Sequence, residues 1–159
     1  MKFLVSLLVT AFLLGCTTQH APFQAYEQKV PLSQTAVFMA MNQTGPLIQS
    51  RIKQTDGKDM PCAVAGCPYW VRVLPGTHSF VLDYRSNFGV GLVAVGAVSW
   101  TGAGLEVNVP NMLPKHVYRA SYWESDGKVH VNVVDLGENS EVGLDFSYMG
   151  YHKARFDDQ

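Results

Sequence analysis

The sequence predicts an all-β domain, an antiparallel β-sandwich of about seven short strands. Three observations predict it. Residues 69–84 and 116–136 alternate apolar and polar side chains with period two, as half-buried strands do. Turn signals punctuate the chain at Asp56-Gly57, Pro75-Gly76 and Asp126-Gly127. No tract of the domain opens with a firm helix start and capping box.

The N-terminus precedes that domain. Lys2 gives a positive start, and residues 3–14 form an uncharged, mostly apolar run that ends at Gly15 and Cys16. About a dozen apolar residues are too few to cross a ~30 Å bilayer core, which needs ~20 in a helix. The run fits the apolar region of a signal peptide. Leu13-Leu14-Gly15-Cys16 resembles the lipobox of bacterial lipoproteins. That resemblance implies that residues 1–15 are a signal peptide cut before Cys16. It also implies diacylglycerol on the Cys16 sulfur and an acyl group on the new amino terminus. The bilayer is then a partner, because each buried CH₂ contributes ~0.8 kcal/mol and two or more chains hold stably. Thr17, where Asp would retain the protein in an inner membrane, implies the outer membrane, facing the periplasm. An ordinary secretory signal ending near a cysteine is the alternative.

Residues 16–34 are polar, carry Pro22 and Pro31, and show no sustained period. They are expected to form a flexible tether, with Phe23 and Tyr26 able to dock on the domain, which spans 35–150. Residues 35–41 read as its first strand, with a helix over 36–43 as the alternative. Residues 47–55 read as the second. With Cys16 taken by lipid, Cys62 and Cys67 remain, and an even pair in an oxidising compartment points to a disulfide. Free thiols and a metal site are the alternatives. Zinc wants four ligands, and a single Cys-x4-Cys pair falls short of that, so no metal is expected.

In residues 69–84, pairing outward from Pro75-Gly76 sets Val73 against His78 and Val71 against Phe80. Tyr69, Val71, Val73, Phe80, Leu82 and Tyr84 then share a core face, and Trp70 and Arg72 point the other way. The run from Val71 to Phe80 resembles the strand–Pro-Gly–strand hairpin of PEGA-like or transthyretin-like envelope β-sandwich domains. The resemblance implies a fold and a compartment, and supplies no catalytic residues. Residues 88–104 carry no charge and five glycines. They read as a buried strand with a glycine-rich turn; the alternatives are an apolar loop around Trp100 that meets a partner or the membrane surface, and a site for a small molecule. Leu105, Val107 and Val109 alternate with Glu106 and Asn108. In residues 116–136, Asp126-Gly127 is a strong hairpin signal. It sets Tyr122 against Val131, Ala120 against Val133 and Trp123 against His130. A last strand is expected within 142–148, and residues 151–159 read as a loose tail.

The functional reading is sparse. Charged residues make up 16% of the chain and the formal net charge is -1. No basic patch suggests nucleic acid, and no dinucleotide or phosphate-loop motif suggests a cofactor. The histidines share no ligand spacing, and no pair of carboxylates argues for acid–base work. No catalytic residues are assigned. Trp70, Trp100 and Trp123 are the candidate partner or ligand contacts. The expected function is a non-catalytic interaction or assembly-accessory module with an envelope protein partner. A glycan- or peptidoglycan-binding domain is the alternative, and an envelope hydrolase is a more distant one.

Overall fold

The computed structural model of the chain describes residues 20–45, 48–62, 66–88, 98–138 and 141–157. In chain order its elements are β1 (Phe23–Gln24), a 3-10 turn (Leu32–Gln34), β2 (Ala36–Met39), β3 (Gln43–Thr44) and β4 (Ile48–Thr55). Then come β5 (Lys58–Asp59), β6 (Trp70–Val73), β7 (Gly76–Phe88) and β8 (Val98–Met112). The last are β9 (His116–Ser125), β10 (Lys128–Glu138), β11 (Gly143–Phe146) and β12 (Gly150–Lys153). The fold is all-β and sandwich-like, as expected. Two details differ. Twelve strands occur among the described residues, because short edge pieces add to the long ones. The pairing is mixed rather than antiparallel throughout: β1 with β6, β2 with β9 and β3 with β11 run parallel.

Three sheets build it. A five-stranded sheet, in the order β1-β6-β2-β9-β10, lies between a four-stranded sheet, β5-β4-β7-β8, and a three-stranded one, β12-β11-β3. Side chains alternate across the five-stranded sheet, so β2, β6 and β9 each feed two cores. Toward the four-stranded sheet point Ala36, Phe38, Val71, Val73, Tyr118 and Ala120, which meet Ile52, Phe80, Leu82, Val107 and Val109. Phe38 and Phe80 stack at 3.9 Å between ring centroids, 7° from parallel. Toward the three-stranded sheet point Val37, Met39, Trp70 and Val117, which meet Leu144, Phe146, Ala154 and Phe156. Every residue of β2 and of β6 is therefore buried.

The tract 69–84 departs from its expected pairing. Its strands do not lie side by side. β6 pairs with β2, and β7 pairs with β4 and β8 in the opposite sheet. Pro75-Gly76 is a corner between layers, with Gly76 at φ +138°. Four of the six expected core residues keep a common core, because Val71 and Val73 now meet Phe80 and Leu82 across it, whereas Tyr69 packs toward the three-stranded sheet beside Phe146 and Tyr84 joins neither cluster. The corner is pinned by His78, whose ring nitrogens lie 2.7 Å from Asp56 and 2.7 Å from the Leu74 carbonyl. The 116–136 hairpin has the expected register, including Trp123 opposite His130.

Neither flank is as loose as its composition suggests. Within the expected tether, Phe23–Gln24 pairs with β6, and Ala25 packs against the main core. Within the expected tail, Ala154 is 0% and Phe156 3% exposed. The guanidinium of buried Arg72 donates to Thr35 Oγ1 at 2.8 Å and to the Arg155 carbonyl at 2.5 Å, which ties the tail down. Apolar residues without a period leave no strand signal, so sequence patterning missed them.

Cys62 and Cys67 form a disulfide, with Cα atoms 4.0 Å apart. Arg51 braces that loop. It donates to the Cys67 carbonyl at 2.8 Å and lies 3.5 Å over the Tyr69 ring. A ring this small restricts the unfolded chain modestly. Replacing both cysteines with serine is therefore expected to cost about 2 kcal/mol in urea denaturation.

Candidate functional site

The candidate site is a cleft of about 500 Å³ where β2 leaves β9. The two strands pair only from Val37↔Val117 to Met39↔Arg119. Beyond that point the chain is drawn away. Ala40 N–H donates to Tyr69, the Asn42 carbonyl accepts from Asp145 N–H, and Gln43–Thr44 joins β11. From Tyr122 to Ser125, β9 is paired among the described residues only with β10. The two-residue turn at Asp126-Gly127 makes Ser121, Trp123 and Ser125 the residues that exchange hydrogen bonds with β10. By alternation, the main-chain groups of Tyr122 and Glu124 point out of the sheet. Across the cleft stands β3, paired with β11 alone among the described residues. Both walls are thus strand edges.

Tyr84 and Tyr122 line the cleft, and their hydroxyls reach a polar network beneath it. Tyr84 and Tyr122 stack at 4.6 Å, 20° from parallel. The Tyr122 hydroxyl and Ser50 Oγ share a 2.5 Å hydrogen bond. Tyr84 OH and Ser86 Oγ each donate to Glu124 Oε1 at 3.1 Å. Ser50 and Ser86 are fully buried. On the rim, half-buried Arg119 makes no ion pair among the described residues. The residues lining the cleft include no histidine or cysteine. What it offers is hydrogen-bond donors and acceptors along two edges, with a cation on the rim.

Burial pushes the Tyr122 phenol well above its ordinary range, and burial likewise raises Tyr84 and Tyr118. A raised phenol favours the folded state while it is neutral. The stability it brings is present below the ordinary tyrosine value of about 10 and is lost as pH rises through it. Urea midpoints are expected to hold from neutrality to about pH 9 and then to fall. Tyr122→Phe should blunt that fall, and at neutral pH should cost about 1–2 kcal/mol by orphaning Ser50.

No protein family, curated protein or solved structure matches the chain. The reading of the site therefore rests on its own residues.

The expected contact residues do not converge. Trp70 is 1% exposed and sits in the second core, 6.1 Å from the Phe146 ring. It is not available to a partner, because a third layer covers the face it was expected to present. Trp100 lies in β8, paired with Ser86, and its side chain is outside the described residues. Trp123 is 50% exposed, stacked on His130 at 5.3 Å, on the open face of the β9–β10 hairpin. Cys16 and most of the glycine-rich tract, residues 89–97, also lie outside the described residues. His116 bonds Asp135 at 3.0 Å. Among the described residues no cluster of three or more His, Cys, Asp or Glu could hold a metal ion.

Sequence reading missed the cleft. It put Tyr84 on a core face and Tyr122 opposite Val131, but gave no sign that their hydroxyls join a polar network beneath a cleft. The available signal was a pair of serines, Ser50 and Ser86, in strands whose neighbours are large.

Proposed function

We propose that the chain is a bacterial envelope lipoprotein, anchored through acylated Cys16 and acting as a non-catalytic protein-interaction or assembly-accessory module. Its expected location is the outer membrane, facing the periplasm. The lipobox-like Leu13-Leu14-Gly15-Cys16 supports the anchor. The unpaired β9 edge beside Arg119 carries the interaction reading. Outward-pointing main-chain groups favour an extended polypeptide that adds a strand, with side-chain pockets setting preference. A carboxylate on that segment would answer Arg119.

A photo-crosslinking residue at Ser121, on the cleft rim, tests it in cells. One defined envelope protein should be captured there, less of it in an Arg119→Glu background, and none from a reporter at Glu106. No capture at Ser121 overturns the reading. Cys16→Ala should move the protein out of the membrane fraction, checked by immunoblot after fractionation.

A second reading, glycan binding, draws on the half-exposed Trp123 stacked on His130. Tryptophan emission titrated with peptidoglycan fragments should shift, and the shift should vanish in Trp123→Leu. An unchanged spectrum removes this reading.

A further inference from the structure

The β11–β12 hairpin carries the three most exposed large hydrophobic side chains among the described residues: Tyr148 at 91% and Met149 at 58% in its turn, and Tyr151 at 53% in β12. Single exposed apolar residues are ordinary on a protein surface. Tyr148 and Met149 are adjacent at the tip, where residues 146–152 contain no Asp, Glu, Lys or Arg, while Tyr151 stands opposite Asp145 and its hydroxyl donates to the Glu141 carbonyl at 2.6 Å.

The same hairpin holds the start of the described chain. The His20 ring stacks on His152 at 4.5 Å and meets the Phe146 ring edge-on at 5.7 Å. Its Nε2 lies 2.9 Å from the Met149 sulfur. His20 lies four positions after Cys16, a reach of at most about 14 Å when fully extended. The polar layer on each side of a bilayer core is roughly 6 Å deep. A lipid on Cys16 therefore keeps this hairpin beside the headgroups. The four-stranded sheet lies on the far face of the central one.

We infer that the tip of the 146–152 hairpin docks on the bilayer surface, with Tyr148 and Met149 in the interfacial layer. Tyrosine suits that layer, since its ring is apolar and its hydroxyl reaches water and headgroups. Docking gives the domain a fixed orientation instead of leaving it to swing on a tether. The inference rests on the anchor proposed above.

Spin labels test it. With Cys16 acylated and Cys62 bridged to Cys67, an introduced cysteine is the only free thiol. Tyr148→Cys and Met149→Cys are labelled in the acylated full-length product. Each is compared with Glu106→Cys, on the outer side of β8, in vesicles of phosphatidylethanolamine and phosphatidylglycerol. Labels at 148 and 149 should be several-fold less accessible to a water-soluble nickel relaxant than the label at 106, and more accessible to oxygen. Equal nickel accessibility at all three positions overturns the docking and leaves the anchor standing. Protection at 148 and 149 without vesicles would mean self-association and also overturns it. Mass spectrometry showing no lipid, before vesicles are made, removes anchor and docking together.

Discussion

Trp70→Ala is expected to lower the stability of the domain by about 3–5 kcal/mol, the range for deleting a large buried aromatic. Trp123→Ala should change it by no more than about 0.5 kcal/mol, as surface substitutions do. The contrast follows from burial alone. Trp70 is among the largest fully buried side chains and is shared between β6 and the layer formed by β11 and the chain end. Its removal leaves a void among Met39, Val117 and Phe146, none of which can collapse far within paired strands. Urea denaturation of both variants checks it. Similar small losses for the two would mean that the second core does not form as described.

Gly143→Ala is the other change with a large expected effect. A Cβ at Gly143 would lie 1.9 Å from the His152 carbonyl oxygen and 2.7 Å from Lys153 Cα. Both are backbone atoms of the paired strand β12, so no side-chain rotation relieves the clash. The strands must separate, and the cost should reach the upper end of the overpacking range, about 3 kcal/mol. Hydrogen exchange should locate the damage. Amides of β11 and β12 lose protection, together with the docked Ala154 and Phe156, while β7 and β8 keep theirs. Uniform loss across all three sheets would contradict the layered account.

These two residues also mark what sequence patterning can carry. The 116–136 hairpin was legible because its information is local. Asp126 and Gly127 take φ of 52° and 70°, a turn conformation that Asp-Gly suits, and the turn sets the register of both strands. In 69–84 the alternation correctly assigned Val71, Val73, Phe80 and Leu82 to a core. Alternation says which side of a strand a residue faces. It does not say whether the next strand lies beside it or across from it, so a corner between sheets read as a hairpin. Trp70 and Arg72 read as outward-facing because the layer over them comes from residues 143–156, far along the chain and too short in each piece to show a period.

The cleft was hidden for a related reason. It exists because β2 pairs in parallel with β9, some eighty positions later, and the chain then departs to join β11 through β3. No local pattern encodes a gap between non-consecutive strands. The place of Arg119 on the rim depends on that same gap. The proposed anchor is the opposite case, since its only support is the lipobox-like end of the first sixteen residues. It is written in residues 1–16 and owes nothing to tertiary structure.

That anchor is the claim on which location, partner and docking all depend, and one measurement reaches it directly. The full-length chain is produced in a Gram-negative host, extracted from membranes and weighed intact. The expected product starts at residue 16 and is heavier than the bare polypeptide by a diacylglyceryl group and one further acyl chain. A product that retains Met1, or one that begins at or near Cys16 with an unmodified thiol, contradicts it.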